Sequence, residues 1–223
     1  MTKKPGLIAA LALALSAFLW LAPGLPGVGA QPAGAQETTA PAADPAAKVE
    51  VPDMVLGNAD APVTLIEYAS YTCPHCASFH ANVFKDLKAD YIDTGKVKFV
   101  FREVYFDRYG LWAAMIARCG GETRYFGISS MLFDRQKEWT GSDDPMVVVE
   151  NLKTIGRSAG MDDATIQACM ENAAMAEAMV ARFQETSAAD QVEGTPTLII
   201  NGERYGNMSY DDLKAILDKK LAG

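Results

Sequence analysis

Hydrophobic and polar positions along the chain fall into three regimes. Leu7 to Ala22 is a run of sixteen residues without a charge. Pro23 and Pro26 follow, and proline cannot continue a helix interior. Residues 31–48 are rich in Ala, Pro, Gln and Thr with no apolar period, the composition of a flexible linker. Regular patterning begins near Val49 and continues to residue 223, which delimits one folded unit, 49–223.

Within that unit the periods change in a readable order. Val63 to Tyr68 is β-branched and aromatic and predicts a buried strand. A helix is expected from Cys73 to about Ile92, with Phe79, Val83, Phe84 and Leu87 on one face. Thr94-Gly95 turns the chain into a second strand, Val97 to Val104. Strand, helix, strand in that order makes a parallel βαβ unit. From about 109 to 190 the pattern is helical. Trp112, Met115, Ile116 and Cys119 share a face, as do Val147, Val148 and Leu152, and Ile166, Cys169 and Met170. Pro196 to Ile200 is a late strand, Asn201-Gly202 a hairpin signal, and Asp211 to Leu221 a closing helix. The expected fold class is α/β: βαβ, an inserted helical subdomain, then ββα, with one sheet covered on both faces.

Charge and termini narrow the function classes. The chain carries a formal −8, and no acidic residue precedes Glu37. Without residues 1–30, 18 basic residues face 28 acidic ones. Such a surface has no basic stripe to neutralise phosphates, so nucleic acid is not an expected partner. Lys3 and Lys4, the apolar run, and the small residues at Val28-Gly29-Ala30 or Ala33-Gly34-Ala35 form the layout of a cleavable signal peptide over residues 1–30. The alternative is a membrane anchor, but sixteen residues fall short of the roughly 20 that span a bilayer. The expected location is therefore the periplasm, where disulfides form and persist.

The chemistry is concentrated in Cys73-Pro74-His75-Cys76, placed after a strand and at the start of a helix. The first N–H groups of a helix lack intrahelical partners, and the macrodipole adds positive potential there. Both favour a thiolate at Cys73, the expected nucleophile. Cys76, one turn further in, is the expected resolving thiol. His75 can donate to the thiolate or place charge near it, while Pro74 stiffens the turn. A zinc site would recruit Cys73, Cys76 and His80, but no fourth ligand is evident, and His80 reads as a packing or surface histidine. The redox reading is preferred. No Gly-rich phosphate loop suggests a nucleotide, so the expected cofactor is none beyond the cysteine pair itself.

These residues resemble the DsbA-family thiol–disulfide oxidoreductases of the thioredoxin superfamily, in particular the branch with a second cysteine pair in the helical insertion. The resembling stretches are Leu56 to Thr64, Glu67 to Cys76, and Gly194-Thr195-Pro196-Thr197 followed by Asn201-Gly202. The resemblance implies a thioredoxin-like fold, a cis bond at Pro196 facing the CxxC turn, and a Thr195 backbone free to pair with an extended substrate. It also implies a buried acid at Glu67 that assists proton movement at the inner cysteine. No basic partner for Glu67 is obvious on the next strand, where the candidate is Arg102 and its facing is open. Thr195 before the proline is commoner in isomerase and reductase relatives.

Cys119 and Cys169 lie fifty residues apart on apolar helix faces. They are either buried free thiols or a structural disulfide, and in an exported chain the disulfide is favoured. The expected activity is protein dithiol–disulfide exchange that oxidises reduced exported proteins, with reoxidation by a quinone-linked membrane oxidase and a monomeric state. A disulfide isomerase, a partner-specific reductase and a periplasmic metal carrier are the alternatives.

Overall fold

A computed structural model describes residues 49–223. The signal-like segment 1–30 and the linker 31–48 lie outside the described residues. Strands β1 (Met54–Leu56), β2 (Val63–Ala69), β3 (Val97–Glu103), β4 (Thr197–Ile200) and β5 (Glu203–Tyr205) form one sheet ordered β1-β3-β2-β4-β5. β2 and β3 are parallel, with Glu67 opposite Phe101 and Tyr68 opposite Arg102. The other pairs are antiparallel. β1 escaped the sequence reading because three residues are too few to show a period.

A parallel pair needs a crossover, and residues 74–92 supply it. They run as α1 (Pro74–Phe79), a π-helical turn (His80–Phe84), α2 (Lys85–Leu87) and a second π-helical turn (Lys88–Ile92). Cys76, Phe79, His80, Val83, Phe84 and Leu87 are buried along it, the spacing of an amphipathic stripe.

Between β3 and β4 lie α3 (Arg108–Cys119), α4 (Gly121–Asp134), α5 (Gln136–Trp139), α6 (Pro145–Ser158), α7 (Asp163–Met170) and α8 (Ala173–Ala189). In α6 the buried stripe is Val148, Leu152 and Ile155, set by spacings of four and three. Val147 is not part of it and is 43% exposed, because one position along a helix is a rotation of about 100°. A Cys119–Cys169 disulfide ties α3 to α7, with Cα atoms 5.8 Å apart.

Side chains alternate across β2. Leu65 and Ala69 join the main core with Phe79, Leu87, and Leu213 and Leu217 of α9 (Tyr210–Leu221). Ile66 and Tyr68 meet Phe183 of α8 and Val192 on the opposite face. Arg102 is on the Tyr68 side, bridging Asp53 at 2.9 Å and Asp190 at 3.0 Å. The β4–β5 hairpin turns at Asn201 and Gly202, with φ of 48° and 85°, as a type I′ turn requires. Asn201 also receives the Thr64 N–H on its side chain at 2.8 Å, fixing β4 beside β2. The sheet thereby presents the end of β2 and the start of β4 side by side, which brings the CxxC turn and the Thr195 segment together.

Candidate active site

Cys73 is the N-cap of α1, in an extended conformation (φ −82°, ψ 119°), and Pro74 takes the first helical position. Proline there forfeits only an N–H that the helix cannot use. The chain reaches this cap through a tight turn in which the Cys73 N–H donates to the Ser70 carbonyl at 3.1 Å. Cys73 is partly exposed, Pro74 and His75 are exposed, and Cys76 is fully buried. Both cysteines of the motif are free thiols in this structure.

The second wall of the site is the segment before β4. The Thr195–Pro196 peptide bond is cis, and Cys73 Sγ lies 3.6 Å from the Thr195 carbonyl oxygen, within reach for S–H donation. The buried Thr195 hydroxyl has no hydrogen-bond partner among the described residues in the dithiol state. It favours the ionised form of both sulfurs.

The two thiols are driven in opposite directions. Cys73 is pulled down to about 5, first by the hydrogen bond from Cys76, then by Thr195 and the backbone N–H groups of Cys76 and His75, against the opposing effect of burial. His75 thus acts on Cys73 through its main chain. Cys76 is pushed far above the usual thiol range by its bond to Cys73, by burial and by the charge of Glu67. A hydrogen bond that stabilises one thiolate by donating a proton necessarily holds that proton on the donor. The arrangement therefore yields one partly exposed nucleophilic sulfur and one buried, protonated sulfur hydrogen-bonded to it.

Glu67 is completely buried, on the face of β2 that carries Leu65 and Ala69 into the main core, and its charge acts on Cys76. Its partner comes from the crossover helix, not from a neighbouring strand. His80 Nε2 lies 3.0 Å from Glu67 Oε2. The other carboxyl oxygen, Oε1, has no hydrogen-bond partner among the described residues. His80 is itself 6% exposed, and its ring stacks on Phe133 with centroids 4.0 Å apart.

The family model described as thioredoxin matches residues 49–219. The chain belongs to the thioredoxin family. It is similar to solved structures of the DsbA type. The crystal structure of Wolbachia pipientis alpha-DsbA1 superposes with a TM-score of 0.72 at 27% identity, covering 78% of this chain and 94% of that one. A putative protein-disulfide oxidoreductase of Rickettsia conorii is 37% identical over 175 residues, 78% of this chain but 62% of the relative. The chain thus spans less than two thirds of that relative's length. Disulfide bond formation protein D of Bacillus subtilis is 27% identical over 177 residues, 76% of this chain and 77% of that protein.

Two members of this thioredoxin-family site, Gln136 and Asp107, carry no signature in the sequence. Gln136, at the start of α5, donates through Nε2 to the carbonyls of Tyr71 at 2.8 Å and Cys73 at 2.9 Å. It clamps both sides of the turn that presents the nucleophile. Asp107 caps α3 through the Gly110 N–H at 2.9 Å and accepts from the Thr72 hydroxyl at 2.7 Å. His80 was visible as a residue one turn beyond Cys76, but its pairing with Glu67 was not. The only available signal was a shared face: a spacing of four puts His80 beneath Cys76, where a buried strand carboxylate also points.

Proposed function

We propose that the protein is an exported dithiol–disulfide oxidoreductase that introduces disulfides into reduced secreted proteins. A substrate thiolate attacks Cys73 Sγ of the oxidised Cys73–Cys76 pair, forming a mixed disulfide and releasing the Cys76 sulfur. A second substrate thiolate then attacks the substrate sulfur of that bond, and Cys73 leaves as a thiolate. Two electrons pass to the enzyme, and the cysteine pair is the only redox group the cycle requires. The observation that carries this reading is the opposite displacement of two thiols one helical turn apart, with the low one partly exposed and the high one buried. A stabilised Cys73 thiolate is a good leaving group, so its bond to a substrate is readily exchanged.

Thr195 beside Cys73 supplies main-chain groups with which an extended substrate pairs. Export to the periplasm is supported by the Lys3-Lys4 and Leu7–Ala22 pattern and by a second disulfide, Cys119–Cys169, of a kind that persists in oxidising compartments. Reoxidation is assigned to a quinone-linked membrane oxidase, and the enzyme acts as a monomer.

The test is catalysed oxidation of a reduced two-cysteine peptide or of reduced, denatured ribonuclease. The pre-oxidised wild type converts one dithiol per enzyme in a single turnover, and Cys73→Ser converts none. Equal rates for the two proteins would refute the proposal. Isomerase activity is the second reading, because Thr195 precedes Pro196 here. Recovery of ribonuclease activity from the scrambled, fully oxidised form, rather than from the reduced form, would favour it.

A further inference from the structure

Behind the two walls of the site, on the sheet face opposite Glu67, lies a polar cluster that the exchange reaction does not use. Tyr68 of β2 is completely buried there, so its hydroxyl has to be satisfied within the protein. It accepts from Arg102 Nη1 at 2.7 Å and donates to Asp190 Oδ2 at 2.5 Å, with the Thr186 carbonyl 3.1 Å away. Arg102 also reaches Asp190 directly at 3.0 Å, and its other nitrogens donate to Asp53 at 3.1 and 2.9 Å. The cluster sits just upstream of both walls. Tyr68 precedes Cys73 by five residues, and Asp190 precedes Thr195 by five. Between Asp190 and Thr195 the backbone is tied at nearly every step. Asp190 is the C-cap of α8. Gln191 takes a left-handed conformation (φ 52°), and its carbonyl accepts from Arg204 of β5. The Val192 N–H donates to the Ser187 carbonyl at 2.8 Å, and its side chain joins Tyr68 and Ile199 in one apolar cluster. The Gly194 carbonyl accepts from the Thr197 hydroxyl at 2.7 Å, and Thr197 lies opposite Tyr68 in the β2–β4 ladder. A segment held in this way passes the position of its first residue on to its last.

We propose that Asp190, held by Tyr68 and Arg102, is a positioning residue that sets the Thr195 main chain beside Cys73 at the place where an extended substrate pairs with it. The inference rests on the pairing at Thr195 proposed above. Asp190 and Tyr68 act through the chain and not on the reacting sulfurs. The contact they maintain is the 3.6 Å approach of Cys73 Sγ to the Thr195 carbonyl oxygen. Without the Asp190 carboxylate, Tyr68 and Arg102 lose their common acceptor and the end of α8 is no longer pinned to β2 and β3. The segment from Gln191 to Thr195 is then free to draw back from the Cys73 turn. A strand pairing depends on donors and acceptors set within tenths of an ångström, so a small retreat weakens substrate pairing while the cysteine pair keeps its chemistry.

The experiment compares two dithiol peptides of one sequence. The second is N-methylated on the backbone at either side of its attacking cysteine, so that it cannot pair as a strand. Each is mixed with the pre-oxidised protein, and reduction of the Cys73–Cys76 pair is followed by acid quenching, alkylation and mass analysis. The wild type is expected to react about tenfold faster with the parent peptide, the scale of one net hydrogen bond. Asp190→Ala is expected to bring the parent rate down to that of the methylated peptide and to leave the methylated rate unchanged. Tyr68→Phe should act in the same direction to a smaller extent. Asp190→Asn keeps an acceptor for the Tyr68 hydroxyl and should recover most of the wild-type preference. A purely structural role would lower both rates by one factor, and that outcome would overturn the positioning role. So would Asp190→Ala and Tyr68→Phe proteins that keep the tenfold preference. A wild type that does not distinguish the two peptides would overturn pairing at Thr195 and the positioning role with it. A wild type that oxidises neither would overturn the exchange reaction itself.

Discussion

Replacing Cys76 by alanine separates the two sources of the Cys73 thiolate. The leading stabilisation is the hydrogen bond from Cys76, while Thr195 and the N–H groups of His75 and Cys76 contribute the remainder. Cys76→Ala removes the first and leaves the backbone of the cap in place. A hydrogen bond to a charged group contributes about 1.5–3 kcal/mol, equivalent to roughly 1–2 pH units. The Cys73 midpoint should therefore move from about 5 to somewhere near 6 or 7. It should remain below the ~8.5 of a free cysteine, because the helix N-terminus is unchanged. Thiolate absorbance near 240 nm as a function of pH reports the midpoint, and the pH dependence of iodoacetamide alkylation gives it independently. A variant that still titrates at about 5 would show that the inner thiol contributes nothing. A wild type that titrates near 8.5 would remove the physical basis of the proposed function.

Three other changes test the scaffold around the site. Cys119→Ala with Cys169→Ala opens a fifty-residue loop. The chain-entropy model gives a loss of about 4 kcal/mol, or roughly 10 °C in thermal midpoint at this size, and the Cys73 titration should be unaffected. Gln136→Leu deprives the Tyr71 and Cys73 carbonyls of their shared donor; urea unfolding should show a loss of about 2 kcal/mol, with slower substrate exchange as the turn loosens. Arg118→Met breaks a two-point contact to the buried Glu103, at 2.8 and 2.6 Å. Leaving that carboxylate uncompensated should lower stability by about 3–5 kcal/mol, and a loss below 1 kcal/mol in the same unfolding assay would refute the account.

What the sequence made legible follows physical range. The strand–helix–strand order, the Asn201-Gly202 turn and the placement of Cys73 at a helix start all depend on neighbours a few positions apart. Glu67 could be suspected because a charge in the apolar strand Val63 to Tyr68 breaks its pattern. Its partner carries no local signal, since His80 is thirteen residues away on another element and the nearest cation on the neighbouring strand is Arg102. That arginine does point away, into the Asp53–Asp190 pair on the opposite face. Gln136 is less legible still. It lies 63 residues from Cys73, and an amide on a four-residue helix carries no periodic or charge signature. Val147 shows the limit from the other direction: apolarity assigned it to the α6 stripe, and helix geometry turned it outward.

The depressed thiol also fixes how the oxidising power should vary with pH. An ordinary cysteine pair takes up two protons with its two electrons, and its potential falls by about 59 mV per pH unit below the thiol pKa. Here Cys73 remains ionised above about pH 5, and Cys76 retains its proton far beyond neutrality. Reduction then takes up one proton, and the slope halves to about 30 mV per unit. The sign is that of any depressed acid. The reduced form gains stability as pH rises from about 5 to the ~8.5 of an unfolded thiol, and loses it as pH falls through the lower value. At pH 7 the two-unit interval makes the pair about 60 mV more oxidising than an otherwise equal pair with unshifted thiols. Glutathione equilibria between pH 4 and 8 should show the change of slope near pH 5. A single slope of 59 mV throughout would mean that both sulfurs are protonated in the reduced enzyme, and the direction of electron flow would need another cause.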